Sequence, residues 1–285
     1  MKPILIVCLC LVPLGISAEE VLAFLQVQTN SSSLQLTLTV LGETDSDTQR
    51  LDGTISLAVD CFAPLAAASL RDFQVRAVTN FDLQLSFGFL GALSGSLNGL
   101  AIRHGDPGPH QPYVPVIGGQ ITFLAISNVL DGSATYQATG AACAILQNDS
   151  LPCSDTILLA NQPTSPIDEL SGSLTLTNGV LRFVGGFVFG PLTLVAGGTL
   201  SGVANITASG PLQPCLQIER TLNEHRVRYS SAFHEFRLER TGSLSAPVVW
   251  EPAVAKAVVD DGTTVTATFQ TLTDNMAFYR LALSP

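Results

Sequence analysis

Lysine is almost absent from this chain of 285 residues. Only Lys2 and Lys256 occur, and the 13 basic residues face 23 acidic ones, which gives a formal net charge of −10. Enzymes that form Schiff bases and proteins that bind nucleotides through a P-loop need a lysine at the reacting or phosphate-binding position. An acidic surface is also repelled by the phosphate backbone of nucleic acids. The composition therefore argues against lysine chemistry and against a nucleic-acid partner.

Signature motifs of the common enzyme classes are missing as well. The sequence contains no GxSxG, SxxK, GxGxxG or GxxxxGK[ST] segment, and no CxxC pair. An HExxH zinc motif begins at His234 and Glu235, but Leu238 stands where the second histidine is required. We therefore predict no catalytic residue and no obligatory cofactor, and we favour a non-catalytic protein.

The first 18 residues are typical of a secretory signal peptide. Lys2 precedes an apolar run over 4–16 that is too short to span a bilayer comfortably, and Ala18 is a small residue at the expected cut. Glu19 follows at once, where a membrane anchor would have a basic cluster. We expect cleavage after Ala18 and export as a secreted, periplasmic or cell-envelope protein that is not integral to a membrane.

Four cysteines remain after such cleavage: Cys61, Cys143, Cys153 and Cys215. An even number in an exported protein favours disulfides, and four cysteines allow three connectivities. We favour Cys143–Cys153, which would close a short hairpin connection, together with Cys61–Cys215. The chain-entropy model gives roughly 3 kcal/mol for the first bridge and roughly 5 kcal/mol for the second. Alternatively, some of these cysteines are free buried thiols, since cysteine packs well as a small hydrophobe.

Apolar and polar residues alternate along most of the chain. The alternation is clearest over 34–40, 55–61 and 81–89, and no window shows sustained helical spacing. Strict alternation places one side of a strand in a core and the other in water, as in antiparallel sheets. The prediction is an all-β protein with a large curled antiparallel sheet, either a barrel or a sandwich, because a flat open sheet of this size is unusual.

A weak internal repeat accompanies the alternation. The pattern Leu-[Ser/Asp]-Gly occurs at 51–53, 93–95, 130–132, 170–172 and 200–202. Because glycine accepts positive φ, each copy is expected to form a tight turn that opens a new strand. In the apolar stretch 181–198, Gly190-Pro191 is likewise expected to be a turn between two strands.

The density of charge changes sharply along the chain. Residues 81–214 carry seven acidic and two basic side chains, whereas the shorter segment 215–285 carries eight acidic and seven basic ones. We therefore divide the chain into a signal peptide (1–18), a Ser/Thr/Gly/Leu-rich β-domain (19–214) and a C-terminal β-module (215–285). A region of about seventy residues suits a small β-sandwich.

The C-terminal module resembles a known type of accessory domain. Four segments carry the resemblance: 236–240 (Phe-Arg-Leu-Glu-Arg), Trp250, 261–264 (Asp-Gly-Thr-Thr) and 278–281 (Phe-Tyr-Arg-Leu). They are similar to segments of the fibronectin type III and immunoglobulin-like modules found at the C-terminus of secreted bacterial proteins. The resemblance covers about a quarter of the chain. It implies a spacer or docking module and no catalytic residues.

Two clusters have side chains that suit metal ions. His104, Asp106 and His110 lie within seven residues and offer the imidazole and carboxylate donors that suit Zn²⁺ or Cu²⁺. Glu43, Asp45 and Asp47 offer oxygen atoms at alternate positions, as calcium requires, but the turning glycine of an EF-hand loop is absent. The alternatives are a solvated Pro/Gly-rich connection for the first cluster and a charged turn for the second.

Three functions remain open at this point. The first is a non-catalytic exported β-protein that acts as an envelope or extracellular interaction component, with another envelope protein or a glycan as its partner. The second is a carrier that encloses an apolar ligand, supported by eight phenylalanines: Phe73, Phe81, Phe87, Phe89, Phe123, Phe183, Phe187 and Phe189. These rings would otherwise simply fill the core. The third is an unrecognised glycan hydrolase with carboxylates that converge in a cleft.

Overall fold

The chain folds as an all-β protein, as predicted, with a single short helix among the residues that the structure describes. A computed structural model describes residues 20–60, 65–105, 111–148, 150–161, 167–193, 198–221, 224–270 and 277–283. The predicted signal peptide (1–18) lies outside them. The strands of the largest sheet are β1 (Glu20–Val27), β2 (Ser33–Val40), β3 (Glu43–Asp60), β4 (Ala67–Ala77), β5 (Phe81–Ser86), β6 (Ala92–His104), β7 (Val114–Pro115), β8 (Gln120–Ile126), β9 (Asn128–Ala138), β10 (Ser154–Leu158), β11 (Ile167–Thr177), β12 (Val180–Thr193) and β13 (Thr199–Pro211).

This sheet is antiparallel and curls around one core. Its strand order is β10-β9-β6-β4-β3-β1-β13-β12-β11-β8, and β2 lies in line with β1 between β3 and β13. Although β4 and β12 are four places apart in that order, the rings of Phe73 and Phe187 lie only 6.4 Å apart. Phe81 from β5, which pairs with β6, and Phe123 from β8, at the opposite end of the order, belong to one hydrophobic cluster. The sheet therefore folds its apolar side onto itself, as the alternating pattern predicts.

The alternation ends earlier than expected in one place. Within β5, Phe81, Leu83 and Leu85 are buried. The strand ends at Ser86, and a 3-10 turn follows over Gly88–Leu90. The ring of Phe89 is therefore 97% exposed at a hairpin tip and does not continue the buried row.

The repeated Leu-[Ser/Asp]-Gly pattern does not form turns, so that prediction is wrong. All five copies lie inside strands, namely β3, β6, β9, β11 and β13. Leu51, the first leucine of the series, is buried in the core. Gly53 follows with a φ of +141°, and a Cβ added to it would lie 2.0 Å from the carbonyl oxygen of Gln74 on β4. In this copy, glycine permits β3 and β4 to approach each other closely. The pairing of the two strands becomes irregular shortly afterwards, between Ser56 and Leu57.

Substitution of Gly53 by alanine should destabilise the fold by about 1–3 kcal/mol, because both the positive φ and the contact with Gln74 oppose a side chain. The free energy of unfolding in urea measures this effect. Gly95 is the matched control from another copy of the pattern, since an added Cβ there meets its nearest atom at an ordinary 3.5 Å. Equal losses in the two variants would contradict the explanation.

Gly190-Pro191 does not separate two strands either. β12 runs through this dipeptide to Thr193, and its pairing with β13 is irregular between Phe189 and Leu192. Proline lacks an N–H donor and is tolerated inside sheets at such irregular positions. The turn predicted at Gly190-Pro191 is therefore wrong, and the dipeptide marks an irregularity within β12.

The helix α1 (Ala141–Asn148) begins before Cys143 and takes up the first half of the loop predicted between Cys143 and Cys153. The Cys143–Cys153 disulfide itself is confirmed, with Cα atoms 4.9 Å apart, and it joins α1 to the start of β10. The segment is rich in the good helix formers Ala, Leu and Gln, but eight residues are too few to show a clear helical period. No helix in the described part of the chain is long and apolar enough to cross a bilayer.

The last part of the chain forms two smaller sheets. Its strands are β14 (Gln217–Arg220), β15 (Glu224–Ser230), β16 (Phe236–Thr241), β17 (Glu251–Pro252), β18 (Ala257–Asp260), β19 (Thr264–Gln270) and β20 (Phe278–Leu283). One sheet has the order β14-β15-β19-β18 and the other β17-β16-β20. The division proposed at residue 214 falls between β13, the last strand of the large sheet, and β14. The two parts touch directly, since Phe233 is fully buried in the core of the large sheet.

Candidate functional site

A polar groove of about 1020 Å³ crosses five strands of the large sheet. Two cross-strand rows form most of its lining, with one residue each from β5, β6, β9 and β10. The first row is Gln84, Ser94, Gln137 and Ser154, and the second is Asp82, Ser96, Thr135 and Thr156. Residues two apart on a strand share a face, so both rows point to the same side of the sheet. Neighbouring members of a row are about 4.8 Å apart, the spacing of hydrogen-bonded strands.

Two carboxylates from β3 close one side of the groove. An Oδ2 atom of Asp45 accepts a hydrogen bond from the backbone N–H of Gln84 at 2.7 Å, and Oδ2 of Asp47 accepts one from the N–H of Asp82 at 2.9 Å. These oxygens occupy the positions that a neighbouring strand's carbonyl oxygens would take. The edge of β5 is therefore satisfied by side chains, which leaves space between β3 and β5 where a continuous ladder would leave none.

The hydrogen bonds also set the charge state of Asp47. Burial alone would raise its pKa, but the N–H of Asp82, the Gln49 side chain and the N–H of Thr48 together hold the pKa below its usual value. A carboxylate that accepts several N–H bonds is stabilised in its ionised form. Asp47 therefore stays negative and is poorly suited to donate a proton to a leaving group.

Several groups in the rows are left available to a ligand. Among the described residues, the side chains of Asp82, Gln84 and Gln137 make no hydrogen bond. The hydroxyls of Ser94 and Thr135 donate to backbone carbonyls on the neighbouring strand, which leaves their oxygen lone pairs free to accept. The groove thus presents both donors and acceptors. The described residues that line it include no histidine, cysteine, lysine or arginine.

The far end of the groove is fixed beside the disulfide. Tyr136 on β9 pairs with Asp155 on β10, and its hydroxyl donates to the carbonyl oxygen of Pro152 at 3.2 Å. Burial, with a smaller contribution from the negative charge of Asp155, raises the pKa of Tyr136, so this phenol stays protonated. Because Cys153 lies between Pro152 and β10, the disulfide holds this end of the lining in place.

The first predicted metal cluster is only partly described. His104 ends β6 and is buried, with its ring 6.0 Å from that of Phe73. Asp106 and His110 lie outside the described residues, so a Zn²⁺ or Cu²⁺ site at these three side chains stays a prediction. Within the residues that are described, no three His, Cys, Asp or Glu side chains converge closely enough to hold a metal ion.

The second predicted cluster lies at the groove. Glu43 is exposed at the start of β3, whereas Asp45 and Asp47 are half-buried and hydrogen-bonded to β5. The charged-turn alternative is wrong, because all three residues are in a strand. In this structure the three carboxylates do not converge as a set of metal ligands, and the two aspartates already hold β5, so the calcium hypothesis gains no support.

The remaining predicted residues concern the core and the second bridge. Six of the eight phenylalanines are buried in the core cluster, Phe87 is half-buried and Phe89 is exposed. This is the arrangement expected when aromatic rings fill a core. Cys215 is buried and disulfide-bonded, but Cys61 lies outside the described residues, so the Cys61–Cys215 pairing stays a prediction.

The residues of the two rows were not singled out by the sequence. The usable signal was the alternation itself, since the polar positions of β5 and β9 are those that face the groove. Only the register between strands reveals that these positions align. No protein family model, no curated protein and no solved structure matches this chain.

Proposed function

We propose that the protein is an exported, non-catalytic β-protein of the envelope or extracellular space that binds a neutral glycan in the polar groove. The observation that carries this proposal is the alignment of eight polar side chains in two rows on one side of the sheet. Sugars present many hydroxyl groups that both donate and accept, and the rows offer amide, hydroxyl and carboxylate partners at regular spacing. The module at 215–285, by its resemblance to fibronectin type III and immunoglobulin-like modules, acts as a spacer or docking unit.

The charge of the groove restricts the kind of glycan. The carboxylates of Asp45, Asp47 and Asp82 lie along it, and no basic side chain is among the described lining residues. A site of one sign repels ligands of the same sign. Neutral glycans therefore fit, whereas sulfated or uronic-acid polymers are disfavoured.

The same arrangement argues for binding without hydrolysis. Glycosidases that use paired carboxylates need one acid with a raised pKa beside a second ionised group. The pKa of Asp47 is lowered, and the Oδ2 atoms of Asp45 and Asp47 are both held by backbone N–H groups. With the aromatic rings in the core, the interaction proposal also has more support than the enclosed carrier.

Affinity electrophoresis tests the proposal with three neutral polysaccharides (a mannan, a galactan and a β-glucan) and with polygalacturonate as the anionic control. At least one neutral polymer should retard the processed protein, and polygalacturonate should not. The double variant Gln84→Ala/Gln137→Ala removes two unoccupied amides, so its dissociation constant should rise by at least about tenfold.

The matched control is Gln35→Ala/Gln74→Ala, which removes two exposed glutamines that lie away from the groove lining. It should bind as the unmodified protein does. Retardation by none of the neutral polymers would contradict the glycan assignment. Release of new reducing ends from a bound polymer would contradict the non-catalytic assignment and favour a hydrolase.

A further inference from the structure

The C-terminal module has an exposed strand, β18, at the edge of its larger sheet. Four strands (β14-β15-β19-β18) face only three (β17-β16-β20), and the cluster between them includes Val227, Leu238, Ala267, Phe269 and Tyr279. β18 is the last strand of the four-stranded sheet, and all four of its residues are exposed. The smaller sheet therefore does not extend over β18.

The exposure of Val258 shows that part of the core-facing side of the four-stranded sheet is open to solvent. Val258 pairs with Ala267 on β19, and cross-strand partners share a face. Ala267 is 3% exposed and belongs to the module's core, yet Val258 beside it is 63% exposed. On the opposite face Val259 is 62% exposed. An apolar strand that is open on both faces is unusual in a protein that works alone.

At its outer edge, the backbone of β18 pairs with no other strand that the structure describes. The N–H of Asp261 donates to the carbonyl oxygen of Thr264 on β19. The N–H of Lys256, which precedes the strand and lies out of its register, also donates to β19, at the carbonyl oxygen of Thr268. Within the paired residues Ala257–Asp260, N–H groups alternate between the two edges, so those of Val258 and Asp260 point away from β19. Natural edge strands are usually blocked by charged residues, proline or a covering segment. In β18 the charges stand only at the two ends, with Lys256 just before the strand and Asp260 as its last residue, and the three residues between them are apolar.

We propose that β18 is a self-association site, at which two copies of this chain pair antiparallel about a two-fold axis at Val258. This pairing places Val258 opposite its own copy and Ala257 opposite Val259, so that the open apolar groups cover each other. It also brings Asp260 of each copy beside Lys256 of the other, at the ends of the strand. Lys256 bonds Glu224 of its own chain but is 56% exposed, so it keeps donors for a second carboxylate.

The charge of the module supports a second copy as the occupant. Segment 215–285 has eight acidic and seven basic residues, whereas the whole chain has a net charge of −10. Two copies therefore approach with the least repulsion at this module. The paired sheets would form one sheet of eight strands. Because the contact is short, we expect a reversible dimer with a dissociation constant on the order of micromolar, as for small transient interfaces.

Sedimentation velocity of the processed full-length protein over a concentration series tests the dimer. The variant Val258→Lys places two like charges opposite each other, so its dissociation constant should rise at least about tenfold, with an unchanged melting temperature because the side chain is exposed. Val249→Lys is the matched control, since Val249 is 65% exposed and lies outside the strands. It should dimerise normally. A protein that stays monomeric at every concentration, or a Val258→Lys variant that dimerises normally, overturns the proposal.

Cross-linking tests the register. In a hydrogen-bonded antiparallel pair the Cα atoms lie about 5.5 Å apart, within the range of roughly 4.4–6.8 Å that a disulfide bridges. Val258→Cys should therefore form a covalent dimer on mild oxidation, as seen on a non-reducing gel, and Val249→Cys should not. Equal cross-linking of both variants overturns the proposed pairing.

Discussion

Replacing Phe233 by alanine is expected to lower the free energy of unfolding by about 3–5 kcal/mol, because a fully buried aromatic ring leaves a cavity that its surroundings cannot fill. The ring belongs to the core of the large sheet, although the residue comes from the connection between β15 and β16. It packs edge-on to Phe236 at 5.5 Å. Two backbone hydrogen bonds lie beside the ring: the N–H of Gly179 donates to the carbonyl oxygen of Ala232, and the N–H of Leu212 donates to that of Gly179. Phe233 therefore packs the C-terminal part of the chain against the large sheet.

Urea unfolding measured by two probes distinguishes this role from a general loss of packing. Trp250 is the only tryptophan and reports on the C-terminal module, while far-ultraviolet circular dichroism is dominated by the large sheet. The two transitions should coincide in the unmodified protein and separate in the Phe233→Ala variant. Phe89→Ala is the control, because that ring is 97% exposed, and its effect should stay within about 0.5 kcal/mol. Coincident transitions in Phe233→Ala would show that Phe233 does not couple the unfolding of the two parts.

Replacing Glu239 by glutamine should cost about 2–4 kcal/mol at neutral pH, since removal of one member of a buried ionic group leaves its partners uncompensated. The Glu239 side chain is 5% exposed and lies between Arg237 and Arg280, with Oε2 2.6 Å from Nη2 of Arg280. Arg280 in turn lies 4.5 Å from the centre of the Trp250 ring. The expected loss is smaller than for a fully buried triad because Arg237 is 44% exposed.

The effect should depend on pH in a defined direction. Burial of Glu239 would raise its pKa, but hydrogen bonds and charges from Arg237 and Arg280 outweigh burial and lower the pKa below its ordinary value of 4.5. A carboxylate with a lowered pKa stabilises the fold above its unfolded value, and this contribution is lost as pH falls through the folded value. Stability curves of the protein and of Glu239→Gln should therefore differ at pH 7 and converge in acid. Glu169→Gln, at an exposed position on β11, should show no such difference. Parallel curves for Glu239→Gln would refute the ion-pair explanation.

Alternation predicted β2 and β5 well, because burial of one face of a strand places an apolar residue at every second position of the sequence. The helix α1 was missed because eight residues show too little periodicity. Turn signals failed at Gly53 and Gly190, where glycine served strand contacts and irregular pairing, since the same residue type suits both uses.

The candidate groove could not be predicted by any local rule. Asp45, Gln84 and Gln137 are far apart in the chain, and they share a groove only because β3, β5, β6 and β9 lie side by side in a particular register. The calcium hypothesis did single out Asp45 and Asp47, but for their carboxylates and not for the N–H groups of β5 that they accept from. A one-residue change of register would move every member of the rows to the other face.

By itself, the amino-acid sequence determined the all-β class and favoured the Cys143–Cys153 pairing among the three possible connectivities, and the structure confirms both. These follow from composition and from spacing along the chain, which folding does not alter. Only the tertiary structure decided that β5 is held by aspartates, that Phe233 joins the two parts, and that β18 is the edge strand of its sheet among the described strands. Each of these depends on which strands become neighbours, and that is fixed by the packing of the whole core.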